Sequence, residues 1–162
     1  MNVLDTIKQD HDRYKDQMQQ LNQAKSMGQS EKDLFQRFSS DIEAHIKAEQ
    51  QTLYPALEQH DQARKHVLQA YEEHHVAAVV LGELKSMQQM DERWMAKMQV
   101  LSELVRRHIQ EEENTIFKES RDMLGSQKLD ELGEQWEPSK QQMVRQAQQS
   151  GPRGAARSSG RS

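Results

Sequence analysis

Two stretches of this chain run an apolar stripe into a histidine and a glutamate four residues apart. In one, Phe35, Phe38 and Ile42 lead to His45, Glu49 and Leu53; in the other, Trp94, Met98, Leu101 and Val105 lead to His108, Glu112 and Ile116. Four residues advance an α-helix by slightly more than one turn. The histidine and glutamate of each stretch therefore share the face that carries the apolar residues, the one that turns to a core. A buried, unpaired carboxylate costs several kcal/mol even after relaxation, which when repeated approaches a domain's whole margin of stability. Any fold that buries both stretches has to compensate these groups.

The composition favours helices to carry them. Gly and Pro are scarce, at 7 and 3 of 162 residues, while Gln, Glu, Lys and Met are plentiful, which predicts an all-α protein. A hydrophobic fraction of 34% with a mean hydropathy of -1.05 fits amphipathic helices with a narrow buried seam. The length suits one domain with a substantial core. No cysteine is present, which excludes disulfides, thiolate nucleophiles, iron–sulfur clusters and thiolate zinc sites. Any metal must then be held by imidazole and oxygen. The mixed charge, net -4, points to no nucleic-acid partner, and no phosphate-binding Gly-rich loop or nucleophile elbow is present. No apolar run has membrane-spanning length and Met1 to Asp10 lack signal-peptide character, so the chain reads as cytoplasmic with no membrane partner.

Taken in order, the first helix is predicted over about residues 3–25, with Gly28 as a stop and a heptad-like seam of Leu4, Ile7, His11, Tyr14, Met18 and Leu21. Ser30 with Asp33 predicts the N-cap and acidic first turn of the second helix, which Pro55 should kink or end. A third helix over about 62–87 carries Val67, Tyr71, His74, Ala78 and Leu81 inward. His75 falls on its flank and His66 off the stripe; these two and His60, at the preceding connection, are not expected to bind metal. Asp91 caps the fourth helix, which runs to Leu124 before Gly125. The expected architecture is an up-down-up-down four-helix bundle over residues 1–124. A C-terminal helical extension over 125–147 follows, with Leu129, Leu132 and Trp136 on its apolar side and an interruption at Pro138, then a disordered basic tail over 148–162.

The second and fourth helices are weak copies of each other. Ile42, His45, Glu49, Leu53 and Tyr54 correspond to Val105, His108, Glu112, Ile116 and Phe117, so the spacing His-x3-Glu-x3-apolar-aromatic recurs unchanged. With His11 and His74 on the other two seams, four imidazoles and two carboxylates come from all four helices. Buried His–Glu networks that set helix register are one account of them, but six such groups need many satisfied hydrogen bonds where apolar residues do better. Two multivalent cations answer the cost directly, since they neutralise the carboxylates and accept the imidazole lone pairs.

At these positions the chain resembles the hemerythrin-like family, the HHE cation-binding domains, over about residues 1–124. That family's pattern is a histidine on the first helix, His-x3-Glu on the second, a histidine on the third and His-x3-Glu on the fourth. His11, His45, Glu49, His74, His108 and Glu112 match it, together with Glu72-Glu73-His74 and the Leu53-Tyr54-Pro55 that follows the second-helix glutamate. The resemblance implies two iron ions, with Glu49 and Glu112 bridging, the histidines as terminal ligands, and an oxo, hydroxo or water bridge. Oxygen-carrying members have a second third-helix histidine one turn on, where this chain has Ala78. They also have an aspartate five residues after the fourth-helix histidine, where it has Glu113. The site is accordingly expected to be poorer in nitrogen and more open.

Tyr54 has two readings. It fills the end of the bundle as Phe117 does in the repeat, or its hydroxyl ligates or hydrogen-bonds one iron as a catalytic group. Tyr14 and Tyr71 are alternative supporting donors. The function expected from all this is a non-haem di-iron protein reacting with dioxygen, peroxide or nitric oxide in oxidative or nitrosative stress or iron handling, with peroxide disproportionation as a candidate activity. The alternatives are an iron- or oxygen-sensing module, a reversible oxygen carrier, and a zinc-bound or metal-free structural bundle.

Overall fold

The structure is a computed structural model that describes residues 1–149, without the side chain of Ala147. It contains α1 (Val3–Gln23), α2 (Gln29–Gln51), a short α3 (Leu53–Glu58), α4 (Asp61–Ser86) and α5 (Glu92–Glu111). A π-helical turn, Glu112–Ile116, carries the chain from α5 into α6 (Phe117–Gln149). The long helices α1, α2, α4 and α5 form a four-helix bundle in which α1 packs on α2 and α5, and α4 packs on α5 and α2. Short loops join α1 to α2 and α4 to α5, the connection that antiparallel neighbours require. Among the described residues there is no strand, and no helix is long and apolar enough to cross a membrane.

The seam residues do the packing. His11, His45, Glu49, His74 and Glu112 are buried, with His108 at the margin, and they form a polar layer between two apolar cores. One core gathers Ile7, Leu53, Val67, Ile116 and Trp136, among others; the other gathers Met18, Phe38, Leu81, Trp94 and Leu101. Each core excludes water from one side of the layer, so whatever polar chemistry the layer performs is done at low dielectric.

Several local expectations are corrected. Helix α1 ends at Gln23, and Gly28 caps α2 instead of stopping α1: Glu31 reaches back so that its Oε2 accepts from the Gly28 amide at 2.9 Å, leaving Ser30 inside the first turn. The break after α2 falls at Thr52 (φ -119°, ψ -80°), and Pro55 sits in the first turn of α3, where a missing N–H costs little. Ala78 is exposed; Ala77 takes the inward position and Tyr71 is half-buried. Pro138 does not interrupt α6, which continues to Gln149. The proline is exposed, so the carbonyl it fails to bond faces water, and Ser139 Oγ donates to the neighbouring Gln135 carbonyl at 2.9 Å. Two readings hold. Asp91 caps α5, accepting from the amides of Arg93 and Trp94 at 3.1 Å, and the chain turns at Gly125, whose φ of 76° only glycine adopts without strain. The tail expected over 148–162 begins inside α6, and from residue 150 it lies outside the described residues.

Beyond Gly125, α6 folds back and lies along α1 and α2. The approach is closest at Gly133, where a β-carbon would collide with the Met1 carbonyl oxygen and press on the backbone of Asn2 and Val3. Leu129, Leu132 and Trp136 are buried there.

Candidate metal centre

Helical spacing delivers six side chains to one layer, and the layer is organised by its carboxylates. Glu49 Oε1 lies 2.5 Å from Nε2 of His45 and 3.7 Å from Nε2 of His74. Glu112 presents Oε2 at 3.0 Å from Nε2 of His108 and Oε1 at 3.8 Å from Nε2 of His11. Each carboxylate thus stands between two histidines of different helices. Nε2 of His74 and His108 are 3.1 Å apart, and the rings of His11 and His45 are 5.2 Å apart. Two sets of converging donor atoms result: Glu49, His74, His108 and Glu112, and His11, His45 and Glu49, the atoms of each set lying within 4.8 Å of one another.

All four imidazoles turn the same nitrogen inward. Nδ1 of His45 donates to Asp10 Oδ2 at 2.9 Å, Nδ1 of His11 to Glu113 Oε1 at 3.0 Å, and Nδ1 of His108 to Glu73 Oε1 at 3.1 Å. A carboxylate only accepts, so each of these bonds places a ring proton on Nδ1 and turns Nε2 toward the layer. Nδ1 of His74 meets the side-chain amide of Gln50 at 3.3 Å, a group that offers a carbonyl oxygen as readily as an NH2 when flipped. The four supports share one rule: each neighbours a layer residue in sequence and serves the histidine of the next helix. Asp10 of α1 holds His45 of α2; Gln50 of α2 faces His74 of α4; Glu73 of α4 holds His108 of α5; Glu113 of the π turn holds His11 of α1. The ring closes around the bundle.

Tyr54 enters the layer from α3. Its hydroxyl donates to Glu112 Oε2 at 2.5 Å and lies 3.3 Å from Nε2 of His74, on which its ring stacks at 5.2 Å. Burial, and then the charges of Glu112 and Glu49, push its pKa well above the usual phenol value, so it keeps its proton. Of the other tyrosines, Tyr14 donates to the Asp41 carbonyl and sets its ring edge against His45, while Tyr71 packs edge-on against Tyr54. His75 is exposed; His66 pairs with Glu119 at 2.6 Å; and His60 is at the N-cap of α4. None of the three belongs to either donor set.

The charges in the layer are not mutually satisfied. Burial, and then repulsion from Glu112, push Glu49 well above the usual carboxylate range. Burial opposes the charge of Glu112 too, yet the His108 hydrogen bond overrides it and holds Glu112 well below that range. His108 answers in kind: against burial, Glu112 and Glu73 hold it at about 10. Burial, and then His108, push His74 well down, and burial lowers His11. His108 and Glu112 thus favour each other's charged form, while burial and Glu112 disfavour the charge of Glu49. Nε2 of His11, Oε2 of Glu49 and Oε1 of Glu112 are buried with no hydrogen-bond partner, while Oε1 of Glu49 is left to His45 Nε2 alone. Unsatisfied lone pairs of this kind, all nitrogen and oxygen, fit multivalent cations of the iron or zinc type.

Two spaces adjoin the layer. A cavity of about 20 Å³, enough for one water-sized molecule, touches all four histidines and Glu49 and is otherwise walled mainly by Ile42, Ile46, Ala77, Val105 and Ile109. A cleft of about 290 Å³ between α4 and the π turn is lined by His66, Gln69, Glu73 and Glu111 and reaches His108 and Glu112. Four supports, the π turn and this cleft escape a reading by helical period, because each depends on how neighbouring helices are rotated.

Comparison with known proteins agrees with the geometry. The family model for the hemerythrin HHE cation binding domain matches residues 2–119. The hemerythrin HHE cation binding domain-containing protein of Mycobacterium kansasii has a similar crystal structure, with a TM-score of 0.74 over 92% of this chain and 91% of that one, at 22% identity. A DNA nickase of Nostoc sp. strain PCC 7120 is 26% identical over 136 residues, 84% of this chain; the chain spans 37% of that relative's length.

Proposed function

Because the chain belongs to the hemerythrin HHE cation binding domain family, we propose that it is a non-haem di-iron protein that reacts with small oxidants: dioxygen, peroxide or nitric oxide. Metal binding is the coarser part of the reading, and the orphaned lone pairs of His11, Glu49 and Glu112 support it. The observation that carries the di-iron part is the placing of both carboxylates between histidine pairs. Glu112 offers one oxygen toward His11 and the other toward His108, as a bridging carboxylate does, and Glu49 stands between His45 and His74. In this reading His11 and His45 would hold one iron and His74 and His108 the other, with Glu49 and Glu112 available to both. Bound irons would supply electrons and Lewis acidity to an O–O or N–O ligand.

The chain's own residues set what reaches them and how it is held. The cavity is the size of one water and largely apolar on its outer wall, which suits a diatomic or a peroxide and excludes larger substrates. Ala77, one turn past His74, contributes only a methyl group there, so no fifth imidazole closes the space. Tyr54 holds a proton at its hydroxyl oxygen beside Glu112 and His74, where it can donate a hydrogen bond to a ligand in the layer. These features favour peroxide disproportionation, in which one peroxide is oxidised to dioxygen and a second is reduced to two waters, over oxygen storage. The test is iron analysis of protein from iron-replete cells, then oxygen evolution on mixing with peroxide, beside the Tyr54→Phe variant. Two irons per chain and evolution above free iron are expected. A stable, reversible oxygen adduct without evolution would restore the carrier reading, and absence of iron would overturn the di-iron reading itself.

The Nostoc relative brings in a second reading, a module within a DNA-cleaving protein, and its support is the sequence match alone. Nicking of supercoiled plasmid by the metal-loaded chain, absent in a Glu49→Ala/Glu112→Ala double variant, would favour it.

A further inference from the structure

The ring of supports is not uniform, because one link is clamped by α6 from beyond the family-matched residues. Lys140 Nζ donates to Asp10 Oδ2 at 3.0 Å, the same oxygen that accepts from Nδ1 of His45, and to Asp41 Oδ1 at 2.6 Å. Arg13 donates to the other Asp10 oxygen at 2.7 Å and also to Asp41. Asp10 is 5% exposed. Trp136, fully buried, sets its ring against His45 with centroids 5.1 Å apart and planes at 74°. By contrast, the nearest cation to Glu113, the support of His11, is the half-exposed Lys8 at 3.8 Å.

We propose that Lys140 and Trp136 are positioning residues for His45: α6 reaches past the bundle to lock the Asp10–His45 hydrogen bond and to shield it from water. Lys140 anchors the carboxylate that fixes the ring's tautomer, and Trp136 blocks rotation of the ring itself. The effect is local to the half of the layer that contains His45. The His74–His108 half has no contact of this kind with α6 among those described and lies beside the open cleft. Removing an outer support of a ligating histidine typically weakens metal binding ten- to a hundredfold, so the two halves should differ in how firmly they hold a metal.

This inference rests on the di-iron reading only for its second measurement. The first uses metal-free protein: nitrogen-edited NMR of the imidazole Nδ1–H protons in the full chain, in Lys140→Met and in Lys140→Arg. The His45 signal should persist in the full chain and in Lys140→Arg, and should be lost to exchange with water in Lys140→Met, while the His11 signal stays in all three. The second measurement is removal of iron by a chelator. Lys140→Met should release one iron about tenfold faster than the unaltered chain and the other at an unchanged rate. A persistent His45 signal in Lys140→Met would overturn the proposal, as would equal loss of the His11 and His45 signals, the mark of general loosening. Failure to bind two irons would refute the di-iron reading and leave the NMR result to stand.

Discussion

At Glu112 one carboxylate receives the Tyr54 hydroxyl at 2.5 Å, faces His108 at 3.0 Å and leaves its second oxygen toward His11. Two outcomes follow from that crowding. Tyr54→Phe removes a hydrogen bond to a charged acceptor inside the core, and should destabilise the metal-free protein by about 1.5–3 kcal/mol in denaturant unfolding. No change in the unfolding midpoint would mean that the bond is not made in solution. A Glu49→Ala/Glu112→Ala double variant should lose bound iron altogether, read by metal analysis; two irons retained would refute the ligand assignment. At this scale the six layer residues were legible, because 3.6-residue periodicity puts His11, His45, Glu49, His74, His108 and Glu112 on apolar seams. Their supports were not. Asp10, Gln50, Glu73 and Glu113 sit one step off the seam, in the position of ordinary solvated residues. Only the rotation of one helix against the next sends them to a neighbour's histidine.

Among the elements, the two glycines of α6 are different devices. Gly125 reverses the chain direction through a positive φ, and a β-carbon there meets no other atom within 4 Å. Gly125→Ala should therefore cost only the backbone penalty, about 1–2 kcal/mol. Gly133 has ordinary helical backbone, but a methyl group there strikes the start of α1. Alanine's better helix propensity, about 1 kcal/mol, is then set against overpacking of about 1–3 kcal/mol. Denaturant unfolding should show Gly133→Ala to be net destabilising, with Trp136 more exposed to a fluorescence quencher; a stabilised variant would mean that α6 is not seated on α1. The stop at Gly125 was readable from sequence because glycine at a helix end has one common meaning. The continuation past Pro138 was not, since whether a proline breaks a helix depends on whether the freed carbonyl faces core or water. The π turn stayed hidden for a related reason: Ile116 and Phe117 fit a regular helix in sequence, and only the structure reveals the register shift before them.

For the molecule as a whole, a polar layer with orphaned lone pairs between two apolar cores couples folding to ligation. A metal that binds only the folded chain adds stability in proportion to the logarithm of its concentration, about 2.7 kcal/mol at a hundred times the dissociation constant. The thermal midpoint should accordingly climb with free ferrous ion under anaerobic conditions, and fall back when a chelator is added. A midpoint indifferent to iron would mean that the layer does not take it up.

The seat of α6 on α1 also has a kinetic side. The α1–α2 and α4–α5 pairs join neighbours along the chain, whereas Lys140 and Asp10 are 130 residues apart. Contacts of such separation form late, because chain entropy is lost before they reward it. The two tryptophans report on the two events separately: Trp94 stands against Phe35 inside the bundle at 5.0 Å, and Trp136 against His45 under α6. In stopped-flow refolding, a Trp136→Phe chain should therefore show a faster fluorescence change than a Trp94→Phe chain, and a single shared rate would contradict this order. On that order the bundle would form with its His45 side still wet, and drying of that side would be the slow step of folding.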